Sequence, residues 1–113
     1  MHELALARSV VKIVEDEAAV RAFSGVKKVV LEIGALSCVD PRALEFSFDA
    51  VASGTVAAGA RLEIETPPGR ARCFACEAEV DIAGRGEPCP ECGSHQLFVI
   101  GGDDMVVKSL EVH

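Results

Sequence analysis

The sequence predicts an α/β fold in which two helices pack on a small mixed β-sheet, with a cysteine-rich segment inserted before the last strand. Two stretches, 3–22 and 41–53, place apolar residues at helical spacing. Runs rich in β-branched residues, which favour strands, lie between and after them. Two Cys-x-x-Cys pairs lie between Cys73 and Cys92. The length of 113 residues allows one small domain with a metal-stapled annex, and half of the residues are apolar, which is enough for one modest core.

The first predicted helix, residues 3–22, ends at Ser24-Gly25 and should bury one side against a sheet. Its apolar residues recur at steps of three and four: Leu4, Ala7, Val11, Val14 and Ala18. The β-branched run 26–33 follows as a strand, in which Val29, Leu31 and Ile33 alternate inward.

The second helix is predicted to begin at Asp40-Pro41. Aspartate is a good N-cap acceptor, and proline suits the first helical position because its missing N–H has no partner there. Leu44, Phe48 and Val51 form its expected buried side, and Ser53-Gly54 should end it.

The remaining strands lie on both sides of the cysteines. Residues 61–66 alternate apolar and acidic side chains and stop at Pro67-Pro68-Gly69. Residues 97–100 form a short apolar strand, and 105–112 should return to the first sheet because this run is long and apolar. We therefore expect an α/β domain of residues 1–67 and 103–113, with an inserted ribbon of residues 68–102.

Cys73, Cys76, Cys89 and Cys92 have the spacing of a four-cysteine zinc ribbon. The two-residue gaps let tight turns bring both sulfurs of a pair onto one ion about 2.3 Å away. Four thiolates close the tetrahedron, which leaves no position for water or substrate and makes the zinc structural. The segment is too short to fold without the ion.

Three other interpretations of these cysteines are two disulfides, a redox dithiol, and iron held as in rubredoxin. The chain begins at Met1-His2-Glu3 without an apolar signal segment, which favours a reducing, cytoplasmic setting and disfavours disulfides. Iron remains the serious alternative to zinc.

Charge and composition argue against nucleic-acid and membrane partners. The formal net charge is −7, which opposes the phosphate backbone, and there is no Trp or Tyr to stack on bases. Arg70, Arg72 and Arg85 lie near the cysteines, where we expect them to offset thiolate charge. No apolar run approaches the roughly 20 residues that span a bilayer.

Among the residues that could carry chemistry, only the N-terminus has a distinctive pattern. There is no phosphate loop and no Ser-centred elbow, so an enzyme is not expected. Met1-His2-Glu3 places an α-amine, a backbone amide and an imidazole in chelating sequence, a donor set that suits Ni(II) or Cu(II). The alternative is a frayed, solvated chain start.

The other candidates have simpler interpretations. His95, three residues after the last ligand, is either a loop residue or a further metal ligand. His113 is terminal and expected to be solvated, and Cys38 is expected to be a half-buried thiol.

Taken together, several motifs resemble those of the HypA/HybF family of nickel metallochaperones for NiFe-hydrogenase maturation, over essentially the whole chain. The motifs are Met1-His2-Glu3, Gly34-Ala-Leu-Ser37, Pro41, Gly54-Thr55, the two cysteine pairs and Lys108-Ser-Leu-Glu-Val112. An N-terminal Met-His-Glu joined to a zinc ribbon is the most specific of these features.

The resemblance implies a nickel carrier rather than an enzyme. It implies Ni(II) held through His2 with Glu3 beside it, and Zn2+ held by the four cysteines. It also implies a maturation GTPase as partner, the hydrogenase large subunit as recipient, and a tendency to form homodimers. The alternative function is that of a zinc-ribbon adaptor that binds nucleic acid or transcription machinery.

Overall fold

The computed structural model describes residues 2–113, which form two helices and six strands. In chain order these are α1 (Glu3–Arg21), β1 (Val26–Ile33), α2 (Pro41–Ala52), β2 (Arg61–Glu65), β3 (Gly69–Cys73), β4 (Glu79–Ile82), β5 (Leu97–Gly101) and β6 (Met105–Val112). They make two three-stranded sheets, with strand orders β2-β1-β6 and β4-β3-β5. The expected return of the last strand to the first sheet is therefore confirmed. Strands β3 and β4 were not predicted from the sequence.

The chain divides into two compact units. The first runs to Leu31 and adds Val39–Ile64 and Val107–His113, and the second consists of Glu32–Cys38 and Glu65–Val106. The first unit thus holds both helices, and the second holds the cysteines together with a short segment that follows β1.

Helix α1 forms as expected, and three of its five predicted inward residues, Ala7, Val11 and Val14, are buried. Its buried residues are Glu3, Ala7, Val10, Val11 and Val14, whereas Leu4 is 46% exposed. Residues 3, 7, 10 and 14 follow the 3.6-residue helical repeat and share one face, and the buried face is thus turned away from Leu4 toward Glu3 and Val10. The helix also stops earlier than predicted, because Ala22 takes a left-handed φ of 59° and donates its N–H to Ala18 O at 2.8 Å.

Helix α2 begins as the sequence predicted. The Asp40 carboxylate accepts the backbone N–H of Arg42 at 3.0 Å and of Ala43 at 3.5 Å, and Pro41 occupies the first turn. Leu44, Phe48 and Ala52 are its buried residues, so that Ala52 replaces the expected Val51.

The central strand β1 is buried more completely than alternation predicted. Val30 is buried as well as Val29, Leu31 and Ile33, because β2 and β6 flank the strand on both sides. Lys28 is half-buried, with its Nζ 2.8 Å from the Glu111 carboxylate on β6 and 3.8 Å from that of Glu63 on β2. Neither helix among residues 2–113 is long and apolar enough to cross a membrane.

A pair of phenylalanines on α2 tests where the core of the first unit lies. Phe48 is 1% exposed and Phe46 is 79% exposed. Phe48→Ala should lower the free energy of unfolding by about 3–5 kcal/mol because it leaves a cavity, and Phe46→Ala by less than about 0.5 kcal/mol. Urea unfolding followed by helical circular dichroism measures both, and similar losses in the two variants would contradict this core.

The Lys28–Glu111 pair makes stability depend on pH. Lys28 holds the pKa of Glu111 below its ordinary value of 4.5, and Glu111 raises the pKa of Lys28 above 10.5. The unfolded state therefore binds a proton at Glu111 more readily, so the contribution of the pair is present above pH 4.5 and is lost as pH falls through the folded pKa. It is lost again at alkaline pH as Lys28 deprotonates.

We expect Glu111→Gln to destabilise the protein at pH 7, and the difference from wild type to shrink as the pH falls to 3. Denaturant unfolding across this range measures the effect. Glu45→Gln, at an exposed carboxylate on α2, is the control and should show no such trend. A wild-type-minus-Glu111→Gln difference that is constant with pH would be inconsistent with the pair.

Candidate metal centre

The four ribbon cysteines come together at one end of the second sheet. Cys73 is the last residue of β3 and Cys76 lies in the turn after it, while Cys89 and Cys92 lie between β4 and β5. Cys73 and Cys89 are buried, and Cys76 and Cys92 are exposed. Each pair thus contributes one inner and one outer thiol.

The two Cys-x-x-Cys turns have the same backbone structure. In the first, Glu77 N–H donates to Cys73 O at 2.8 Å and Cys73 N–H donates to Ala78 O at 2.9 Å. In the second, Gly93 and Cys89 make the equivalent bonds at 2.8 and 2.7 Å, the latter to Ser94 O. Residues Glu77 and Gly93 both take a left-handed φ, of 64° and 78°. The glutamate therefore adopts a conformation that glycine would adopt without strain.

The sulfur positions fit a tetrahedral ion. All four ligand atoms lie within 4.8 Å of one another, with Sγ–Sγ distances of 3.6 Å for Cys73–Cys92 and 3.8 Å for Cys76–Cys89. Four bonds of about 2.3 Å to one zinc ion place sulfurs roughly 3.8 Å apart. The disulfide interpretation does not fit, because all five cysteines are free thiols and a disulfide needs about 2.05 Å.

The environment of the thiols favours binding of a cation. Backbone N–H groups of Cys76 and Ala75 lower the pKa of Cys73 to about 7. The Ser94 N–H favours the Cys92 thiolate, yet burial and the other three thiols together raise the pKa of Cys92 to about 12. Four negative sulfurs so close together need a cation between them, and its binding releases their protons.

The arginines near the cysteines, which were expected to offset thiolate charge, form ion pairs with carboxylates. Arg70 pairs with Asp81 on β4, Arg72 lies 4.0 Å from Glu79, and Arg85 lies 3.8 Å from Asp103. The antiparallel register that sets Arg70 opposite Asp81 and Arg72 opposite Glu79 explains the first two pairs.

The core of the second unit is small and includes two cysteines of the four-thiol cluster. It consists of Leu36, Ala71, Cys73, Val80, Ile82 and Cys89. Leu36 comes from the segment after β1, where its N–H donates to Gly102 O at 2.8 Å. A Cβ on Gly69 would lie 2.5 Å from Leu36 Cγ, so only glycine fits there. Since two of six core side chains are candidate ligands, binding of a metal by the cluster would be coupled to folding of this unit.

The second candidate site lies at the start of α1. His2 is exposed and occupies the N-cap position, where its side chain makes no capping hydrogen bond. The Glu3 carboxylate is buried, at 8% exposure, and its Oε2 accepts the N–H of Asp40 at 3.3 Å. Met1, whose α-amine the sequence analysis places in the chelate, lies outside the described residues.

Within residues 2–113 the four cysteines are the one group of three or more His, Cys, Asp or Glu residues that could hold an ion. His95 and His113 are exposed and join no such group. Cys38 is exposed rather than half-buried and has a left-handed φ of 59°.

Comparison with known proteins identifies the family. The sequence matches, over residues 1–112, the family described as "Hydrogenase/urease nickel incorporation, metallochaperone, hypA". The chain belongs to the HypA family. A HypA relative from Bradyrhizobium diazoefficiens, named hydrogenase maturation factor HypA 2, is 56% identical over 112 residues and 99% of each chain. HypA of Bradyrhizobium sp. strain ORS 278 is 57% identical over 112 residues, again 99% of each chain.

Solved HypA structures share this fold. The solution structure of the Ni metallochaperone HypA from Helicobacter pylori has a TM-score of 0.72, 24% identity, and covers 99% of this chain and 97% of its own. The family resemblance drawn from the motifs is thus confirmed. The prediction of a nickel metallochaperone of hydrogenase maturation, rather than an enzyme, is confirmed as well.

Loss of the metal should unfold the second unit alone. Cys89→Ser, or a chelator, should abolish amide-exchange protection in β3, β4 and β5 and at Leu36, because ligands and core are the same side chains. Protection in α1 and α2 should persist, since the first unit has its own core. Hydrogen exchange read by mass spectrometry measures this.

Cys38→Ser is the matched control, because this thiol lies outside the cluster, and it should keep one zinc per chain. Equal loss of protection in α1 would show that the two units do not fold separately.

Proposed function

We propose that this HypA-family chain carries Ni(II) at its N-terminus, through His2 with Glu3 beside it. The observation that carries the proposal is the state of His2, whose imidazole is exposed and unused as a helix cap at the very start of α1. In the covalent chain, the α-amine of Met1 and the amide nitrogen of His2 complete a set of donors that can form fused five- and six-membered rings with one ion. Nitrogen donors in a plane suit Ni(II).

The buried carboxylate of Glu3 supports this site. The N-terminus of a 19-residue helix is the positive end of its dipole and disfavours a cation. The Glu3 carboxylate lies in the first turn and offsets that charge. Its bond to the Asp40 N–H also ties the first turn of α1 to the start of α2, which restrains the position of the adjacent His2.

We propose a structural role for the second metal. Cys73, Cys76, Cys89 and Cys92 hold one Zn2+, which when bound offsets part of the thiolate charge and closes the ribbon. The cysteines leave no position for a further ligand, so this ion is not the cargo. On this proposal the nickel function belongs to residues 1–67 and 103–113, and the zinc ribbon to residues 68–102.

Delivery follows from the position of the nickel donors. A terminal site lets a recipient compete for the ligands one at a time, which suits transfer better than an enclosed site. We propose that the recipient is the hydrogenase large subunit, that a maturation GTPase assists, that the chain forms homodimers, and that the transfer takes place in the cytoplasm. The name hydrogenase maturation factor, which relatives carry, supports the recipient.

Substitution of His2 tests the nickel site. His2→Ala should weaken Ni(II) binding by at least about a hundredfold, because loss of even an outer-shell partner of a metal ligand costs 10–100-fold. Extending the N-terminus by one residue should weaken it too, because the α-amine leaves the chelate. Acidification should release the nickel, since imidazole and amine bind metals only when deprotonated.

Calorimetric titration of untagged, zinc-loaded protein measures these affinities. His95→Ala is the matched control, because it removes an exposed histidine from the ribbon and should leave nickel binding unchanged. Undiminished affinity in His2→Ala would reject the N-terminal site while leaving the zinc assignment standing.

A further inference from the structure

The sheet of the second unit has one face that the core does not use. Along β3, Ala71 and Cys73 point into the core, so Arg70 and Arg72 point to the opposite face. We call this opposite face of β4-β3-β5 the outer ribbon face. The register places Asp81 and Glu79 of β4 beside the two arginines, and Phe98 of β5 opposite Arg72.

The outer ribbon face therefore consists of three rows: acidic on β4, basic on β3 and apolar on β5. Both arginines lean toward β4, where Arg70 pairs with Asp81 and Arg72 lies 4.0 Å from Glu79. Their guanidinium groups are thus directed away from β5, and the apolar row is left uncovered.

That row is extended by the first cysteine turn. Phe74, Phe98 and Ile100 are 65%, 58% and 46% exposed, and the two phenylalanine rings contact each other with centroids 6.2 Å apart at 54°. We call these three residues the apolar strip. An aromatic pair held this far out of the core stabilises the second unit little, and exposed apolar clusters of this kind are typical of interaction sites.

The strip runs beside an open strand edge. β5 ends the strand order β4-β3-β5, and within residues 2–113 no strand flanks it on its other side. Phe98 and Ile100 are two positions apart and both exposed, which corresponds to about 7 Å along an extended chain. Ile100 lies at an irregularity of the β3–β5 register, between Val99 opposite Ala71 and Gly101 opposite Arg70. In another extended segment, apolar side chains at every second position are also about 7 Å apart, so they match the spacing of Phe98 and Ile100.

Charge selects the kind of segment. The second unit contains nine Asp and Glu residues against three arginines, a formal −6 of the total −7. All three arginines are already in ion pairs with carboxylates. Glu77, in the same turn as Phe74, and Glu91, in the other cysteine turn, are exposed. A cationic partner is therefore attracted to this unit, and an anionic partner is repelled.

We propose that the apolar strip docks an extended basic segment of a partner protein, in which apolar side chains alternate with lysine or arginine. The apolar side chains cover Phe74, Phe98 and Ile100, and the basic ones face exposed carboxylates of the unit such as Glu77 and Glu91. This site shares no residue with the proposed nickel donors, so the two assignments stand or fall separately.

Fluorescence anisotropy with three labelled octapeptides tests the proposal on full-length, zinc-loaded protein. The first alternates leucine with lysine, the second alternates leucine with glutamate, and the third has the composition of the first with its leucines grouped together. We expect the first to bind, the second and third to bind at least about tenfold more weakly, and added salt to weaken the first.

Two substitutions locate the binding. Phe98→Ser should weaken the first peptide about tenfold, the effect of losing one buried aromatic contact, with zinc content and nickel affinity unchanged. Phe46→Ser is the matched control, because Phe46 is 79% exposed on α2 and lies outside the second unit. Ile100→Ser replaces Phe98→Ser if the latter loses zinc.

Several results would overturn the proposal. One is no binding of the leucine–lysine peptide, and another is equal binding of the lysine and glutamate peptides. A third is affinity that neither Phe98→Ser nor Ile100→Ser reduces. If the wild type is a dimer in sedimentation and Phe98→Ser makes it a monomer, the strip is occupied by a second copy. Tighter binding of a labelled oligothymidylate than of the peptide would assign the strip to nucleic acid.

Discussion

Cys73 and Cys89 are core side chains of a small unit and also members of its four-thiol cluster, and this double role constrains everything around them. The core they belong to has only six buried residues, too few to hold three short strands in place. In the function proposed above, a cation bound by the four thiolates makes up the deficit. The strands can then present an outer face that contributes nothing to the core, with Phe74 fixed between two of the donors.

On the proposed assignments, donor chemistry lets one short chain bind two different metals. Thiolates in a closed tetrahedron retain zinc, whereas an amine, an amide nitrogen and an imidazole at a chain terminus form an open set that suits nickel. Two of the proposed zinc donors, Cys73 and Cys89, are core side chains, whereas the exposed His2 precedes the packed part of α1. A retained ion and a transferable one are thereby assigned to different surroundings.

Much of this structure could be read from the sequence, since the signals were local. Helical periodicity, the Asp40-Pro41 start and the cysteine spacing each predicted a feature that formed, and the motifs predicted the family. The exact face that α1 buries could not be predicted from the sequence, because Leu4 and Val10 are both apolar and only packing decides which of them is buried. Burial of Val30 likewise depends on β2 and β6 covering β1.

The ribbon strands were missed for a related reason. Gly-Arg-Ala-Arg-Cys has no β-branched residue and Glu-Val-Asp-Ile is only four residues long, so neither gives a strong strand signal. They pair as strands in a register that sets Arg70 and Arg72 opposite carboxylates. Leu36 joins the second unit through contacts distant in sequence, which no local pattern encodes. The left-handed Glu77 was equally hidden, as its conformation is imposed by the cysteine turn. The ligand roles of His2 and Glu3 remain a prediction.

The central claim is that this HypA-family protein holds two metals at two independent sites. Native mass spectrometry of the untagged protein, purified with zinc and then titrated with Ni(II), tests it most directly. The account predicts one zinc per chain throughout and one nickel added to the zinc-loaded species. Nickel that appears only as zinc is displaced, one ion for one ion, would place both metals at the cysteines and contradict the account.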